Sequence, residues 1–293
     1  MSGQATVRAL QDAAVAEAQL ADAISASFAR ELEQAMVLLN RHIRRLILAL
    51  EVDGRGLVST RANLARALAL RSQLLAALED AGLPALSKAA IDAPLDRLAQ
   101  TVLDNQIGRA ATLTPFDVEA LGAFKELRLA QLLSIQGDAA ATVLRTVVDG
   151  VMGARPLTDL LEDIEDVLDV SAKEARTFYD TAVSAYSRQV DQIHTSGALD
   201  ELFVYVGPMD IVTRPFCRAH VGKVYDREAI SEMDNGQLPD VLITGGGYNC
   251  RHAWKPVSVL DDELIALHKT GGRIPFVADQ VARVPERRKA VRP

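Results

Sequence analysis

The sequence predicts a mainly α protein, with a long helical N-terminal region followed by a small α+β C-terminal module built from short strands. Three observations carry this. Aromatic residues make up only 4% of the chain and Ala and Leu fill the apolar positions, a composition suited to helices packed on helices. Apolar residues recur at helical spacing, between start and stop signals, from about residue 10 to residue 195. At about residue 198 the composition changes, and short β-branched and aromatic runs appear with both cysteines, the only tryptophan and the densest glycine run.

Taken in order, residues 10–51 carry Leu20, Ile24, Phe28, Leu32, Leu39, Ile43, Ile47 and Leu50 on one broad stripe. One helix of that length would be ~60 Å long, a rod or an assembly surface; two shorter helices with a weak break fit the stripe as well. Gly54 and Gly56 end the pattern. Ser59 or Thr60 can cap the next helix, which runs to Glu79 and stops at Gly82-Leu83-Pro84. A further helix covers about 87–106, with a break expected near Pro94. Thr114-Pro115-Phe116-Asp117 is a start signal: threonine caps, proline sits in the first turn, and aspartate favours the positive helix end. That helix reaches Gln136 or, past Gly137, Val148. Gly150, Gly153 and Pro156 mark a break. Leu157, Leu160, Leu161, Ile164 and Leu168 then form an amphipathic face beside an acidic run from Glu162 to Asp169. Ser171 to Glu174 has the spacing of a capping box and is expected to start the last helix, through Ile193.

In the C-terminal module, 202–206 reads as a strand, 223–225 as a second, 226–233 as a short helix and 234–236 as a turn. Val241 to Ile243 reads as a further strand, Gly245 to Gly247 as a loop, Cys250 to Trp254 as extended chain, and 273–276 as a last short extended element. Linearly the chain divides into a helical region 1–150, a helical lead-in 151–197, the compact Cys/His module 198–280 and a basic tail 281–293.

The module holds the candidate chemistry. Cys217-x2-His220 and Cys250-x-His252 supply four soft ligands in two pairs, the inventory of a structural zinc site. A metal would help a small module with little core of its own; the alternative is that the cysteines are buried small hydrophobes and His220 a hydrogen-bonded histidine. A Cys-His nucleophile lacks an orienting residue or an oxyanion feature here, so no residue is assigned as catalytic. Arg214 is read either as an ion-pair partner of Asp210 or as a lone surface arginine, with Thr213, Pro215 and Lys223 in the same segment. Asn249 should cap a turn or bond backbone, Arg251 can reach the acidic helix, a partner or a phosphate, and Trp254 should be the aromatic core of the module.

A net charge of -7 argues against a general nucleic-acid binder. The tail is the exception: Arg283, Arg287, Arg288, Lys289 and Arg292 face one acid, Glu286, and form a candidate DNA contact. No run of 18 apolar residues suggests a membrane helix, no secretory signal is read, and two cysteines suggest a reduced, intracellular setting.

The segments around Asp210, Thr213, Arg214, Pro215, His220, Gly222 and Lys223, followed by Asn249-Cys250-Arg251-His252 and Pro256, resemble the phage head morphogenesis family, the minor head proteins of the Mu protein F type. Ala175-Arg176-Thr177 sits where members often carry Ala-Arg-Thr-Glu, with Phe178 in place of the glutamate, and Val212 replaces the first arginine of a usual Arg-Thr-Arg. The resemblance covers about residues 155–260. It implies a non-enzymatic phage minor head protein associated with the portal vertex, assisting head assembly, genome packaging or DNA delivery. It further implies a virion component, present in multiple copies and found in the host cytoplasm during assembly. Its partners would be the portal protein, the capsid or scaffolding protein and the packaged double-stranded DNA, with no membrane involved. The readings set against it are a metal-stabilised nucleic-acid-binding accessory protein and a hydrolase.

Overall fold

The computed structural model describes residues 3–54, 56–105, 113–195, 202–257 and 261–284. It is mainly helical, with a long helical N-terminal region and a small C-terminal part containing short antiparallel strands. No described helix is long and apolar enough to cross a membrane. The chain forms two compact units that cut across the linear partition. One comprises residues 24–94 and 125–179; the other gathers residues 1–23, 95–124 and 180–293.

In the first of these units, α1 (Gly3–Ile47) supplies Phe28, Leu32, Leu39, Ile43 and Ile47, all buried. The 45-residue helix is unbroken, so the two-helix alternative is corrected. The glycines that end it build a small hairpin, β1 (Val52–Asp53) with β2 (Gly56–Leu57). Thr60 caps α2 (Arg61–Asp80) by accepting from the Asn63 amide. Asn63 is fully buried, and its side chain bonds the Glu51 amide and the Glu51 and Val58 carbonyls, which ties hairpin to helix.

α3 (Leu83–Asp104) passes through Pro94 without breaking. Proline has no N–H to bond the carbonyl four residues back. That carbonyl, of Ala90, accepts the Tyr179 hydroxyl at 2.6 Å instead, and the Tyr179 ring packs on Phe28 with centroids 4.1 Å apart. A side chain 85 positions away in sequence thus repairs the defect that the sequence alone presents as a break. α4 (Pro115–Met152) begins as expected: the Thr114 hydroxyl accepts from the Asp117 amide and the Asp117 carboxylate from the Thr114 amide. α5 (Leu157–Thr195) is one 39-residue helix, so Ser171 starts nothing. Two members of its acidic run, Asp163 and Glu165, pair with Arg155 and Arg44.

The other unit is built on a three-stranded antiparallel sheet in the order β4-β3-β5. β3 (Leu202–Val206) is central and buried at all five positions, as its unbroken apolar sequence requires. It pairs with β4 (Val224–Asp226) through Val204 opposite Val224, and with β5 (Ala253–Val257) through Tyr205 opposite Trp254. Four short helices lie between the strands or after them: α6 (Pro215–His220), α7 (Arg227–Ser231), α8 (Val241–Thr244) and α9 (Asp262–Thr270). α10 (Pro275–Arg283) is the last described. Residues 241–243 are therefore helix, not strand, and 275–276 open a helix after a single bridge between Arg273 and Lys223. The core is not made by the module alone, because Val7, Leu10 and Ala14 of α1 join Phe203, Tyr205, Trp254, Leu264, Ile274 and Val277 in one cluster.

Candidate functional site

The two sequence segments that carry the motif residues meet beside β3. Pro215 occupies the first turn of α6, where its missing N–H costs nothing, and the helix aims Cys217 inward. The chain enters β5 through Gly245–His252. Gly246 packs so closely there that an added Cβ would lie 2.4 Å from the Cys217 sulfur. As a result Cys217 and Cys250 stand Sγ to Sγ at 3.6 Å. The Tyr205 hydroxyl is 3.4 Å from each sulfur, and the Gly246 amide donates to Cys250 Sγ at 3.1 Å. The His252 ring stacks on Tyr205 with centroids 5.4 Å apart.

Ligand atoms of Cys217, Cys250 and His252 all lie within 4.8 Å of one another, and all three residues are buried. Buried His252 Nε2 has no hydrogen-bond partner among the described residues. The donor set suits a thiophilic ion, and with Zn–S near 2.3 Å two thiolates of a tetrahedral site stand about 3.8 Å apart, close to the spacing found. The thiols are inequivalent. The hydrogen bond between the two sulfurs, together with burial, pushes the Cys217 thiol above its ordinary value. The same bond, aided by His252 and Arg188 against the cost of burial, favours the Cys250 thiolate. Burial raises the Tyr205 phenol well above its ordinary range, so it stays a donor.

The fourth expected ligand is corrected. His220 ends α6 away from the triad, with Nδ1 2.8 Å from the Tyr225 hydroxyl and its ring 4.5 Å from that of Phe216. The second pair is also not arranged as one side of a strand, since Cys250 and His252 precede β5. The Asp210–Arg214 pair does not form. Asp210 instead binds Arg251, which also approaches Asp22 at 3.9 Å. Asp210 further accepts from the Val212 amide and the Thr213 hydroxyl, and these bonds outweigh burial to hold its carboxyl below the usual value. Arg214 reaches the Gly246 carbonyl at 3.0 Å and the Gln237 side chain. Asn249 takes a left-handed backbone (φ 55°), which asparagine tolerates better than most residues, and exchanges bonds with Thr181 of α5. Trp254 is fully buried as expected, and its Nε1 donates to the Val241 carbonyl. Lys223 precedes β4, where it pairs with Arg273 across an isolated bridge and its carbonyl accepts from the Tyr205 amide. Arg283 closes α10, whereas Arg287, Arg288, Lys289 and Arg292 lie outside the described residues.

Sequence reading missed the residues that hold this site. Arg188 of α5 donates to the carbonyls of Ile243, Cys250 and His252, at 3.0 Å and 2.8 Å for the last two. Its guanidinium and His252 border a cavity of about 20 Å³, room for a single water-sized species. Gln11 of α1 clamps Gly207 by both its amide and its carbonyl. Lys255 of β5 is buried with two carboxylates, 2.9 and 2.7 Å from the oxygens of Glu17 and 2.7 Å from Asp191. Glu17 also accepts from Ser187 and Asn105. Burial, only partly offset by Lys255, raises the Asp191 carboxyl to about 7. One signal was available: Gln11 and Glu17 stand on the same helical face as Val7, Leu10, Ala14, Ala18 and Ala21, polar residues at stripe positions.

Comparison of the chain with protein-family models, with curated proteins and with solved structures returns no match.

Proposed function

We propose that the chain is a non-enzymatic minor head protein of a phage, associated with the portal vertex and assisting head assembly, genome packaging or DNA delivery. The observation that carries this reading is the convergence of the two resembling segments. Asp210 bonds Arg251, Arg214 bonds Gly246, and Cys217 meets Cys250, so residues 32 to 41 positions apart become one braced head. In this reading the motif residues fix a surface and do not react with a substrate. The loops they brace present Ile211, Val212 and Tyr248 at 62%, 54% and 44% exposure. Such exposed apolar side chains on a preformed frame are suited to anchor a partner protein, where a few residues carry most of the affinity. The test is co-expression with the portal protein of the same genome, followed by gradient sedimentation. The wild type is expected to migrate with portal rings. The Ile211→Asp/Val212→Asp variant, folded by circular dichroism, should lose at least tenfold in occupancy. A wild-type chain that stays at the top of the gradient would sink the reading.

We also propose that Cys217, Cys250 and His252 hold a structural zinc, which when bound would clip α6 to the 245–252 loop. Elemental analysis with native mass spectrometry should find near one zinc per chain, lost on Cys250→Ser. No metal and two titratable thiols would remove the zinc and leave the docking surface untouched.

A further inference from the structure

We infer that the groove between α1 and α5 seats a second copy of this chain, docked across a two-fold axis at the level of Ser171. This goes beyond the portal reading and does not depend on it.

The groove lies within the unit formed by residues 24–94 and 125–179. Asn40 of α1 bonds Glu165 of α5, and Phe28 packs on Tyr179, so the two helices run antiparallel. Along this stretch they border a groove of about 720 Å³. Leu32, Met36 and Val37 line it from α1, and Leu168 and Ala172 from α5. Leu32 and Leu168 are buried, whereas Val37 is 56% exposed. Four charges of α5 form one rim: Asp166, Asp169, Lys173 and Arg176. At 3.6 residues per turn they fall within a sector of about 80°, so they share one face of the helix. All four are exposed, and none makes an ion pair among the described residues.

The order of these charges selects the occupant. Asp166 and Arg176 stand five positions to either side of Ser171, and Asp169 and Lys173 stand two positions to either side. When two such helices pack antiparallel across a two-fold axis at that level, Asp166 of each copy meets Arg176 of the other, and Asp169 meets Lys173. The acidic end of each rim then covers the basic end of the other. A two-fold interface requires this reciprocity, since residue i contacts j while j contacts i. A helix of an unrelated protein would need no such symmetry in its receptor. The same operation brings the two apolar floors together, with Met36 and Val37 of both copies inside an arrangement of four helices. The floor supplies the affinity. Exposed ion pairs contribute little by themselves, but they set the register and disfavour a parallel pairing, in which like charges would face each other. One acid is left over, Glu33 on the α1 rim, so the match is one of pattern rather than of net charge.

The experiment is sedimentation equilibrium of the full chain over a micromolar concentration series. The wild type is expected to reach about twice the 31.6 kDa of one chain. Two double variants at exposed positions test the pairing. Lys173→Glu/Arg176→Glu makes the rim wholly acidic, and Asp166→Lys/Asp169→Lys makes it wholly basic. Each alone should dimerise at least about tenfold more weakly than wild type, because like charges then face each other. An equimolar mixture of the two should recover the dimer, because every acid of one copy then meets a base of the other. Recovery in the mixture also shows that neither variant has lost its fold. A wild type that sediments as one chain throughout the series would overturn the docked second copy. So would variants that dimerise as tightly as wild type, or a mixture that stays monomeric. Portal sedimentation is read on Ile211 and Val212, so this inference and the portal reading fail independently.

Discussion

Lys255→Met is expected to destabilise the protein by about 3–5 kcal/mol, read as a fall in the urea midpoint of the unit containing the sheet. The reason is the state left behind. Lys255, Glu17 and Asp191 have side chains only 4%, 3% and 1% exposed. Removing the ammonium leaves two buried carboxylates without the cation they share, with Arg188 still acting on Asp191. The loss would be a large part of a typical folding stability of about 5–15 kcal/mol. The cluster is not for that reason a net source of stability, since burying three charges is itself costly. The triple variant Glu17→Gln/Asp191→Asn/Lys255→Met should therefore recover most of the loss. A Lys255→Met chain with an unchanged midpoint would mean that the cluster is solvated in solution.

The same cluster should set an unusual pH dependence. Asp191 has its folded pKa raised to about 7 from 3.8, so folding takes up a proton between those values. Its contribution is fully present below the unfolded pKa and is lost as pH rises through 7, with a slope approaching about 1.4 kcal/mol per pH unit. Lys255, whose pKa is also raised, loses its contribution only in the alkaline range. Asp210 and Glu165 work in the other direction: their folded pKa values are lowered, so their contribution disappears as pH falls through the acid range. Denaturant midpoints should thus decline from pH 5 to pH 8 in the wild type and stay nearly level in Asp191→Asn. A wild-type profile as flat as the variant's would contradict the raised carboxyl.

These residues also show what sequence can and cannot deliver here. Signals confined to one turn of chain were legible: the Thr60 cap, the Thr114–Asp117 start, the apolar run of β3 and the burial of Trp254 all hold. Misreadings came where a distant partner overrides a local preference. Pro94 looks like a break until Tyr179 supplies the missing donor. Ser171 and Glu174 have capping spacing, but α5 continues through them because the apolar face on either side is already committed to packing. Val241 to Ile243 is β-branched and apolar, yet it forms a helical turn whose first carbonyl takes the Trp254 Nε1 proton. The site was half legible. The cysteines and His252 were found by residue type, whereas His220 was included on spacing alone and its α6 position turns it toward Tyr225. Glu17 and Lys255 are 238 positions apart, and no local pattern announces such a pair.

That separation bears on how the protein is made. Val7, Leu10, Ala14 and Glu17 leave the ribosome early, but the cluster they enter includes Trp254, Leu264 and Val277. The sheet-bearing unit cannot close until residue 277 has been synthesised, at translation speeds of about 5–20 residues per second. For that interval of some ten seconds or more the apolar face of the first turns of α1 has no final partner, and long-range closure of this kind folds slowly. The start of the chain waits for its far end, so the nascent protein should depend on chaperones far more than its largely helical composition suggests.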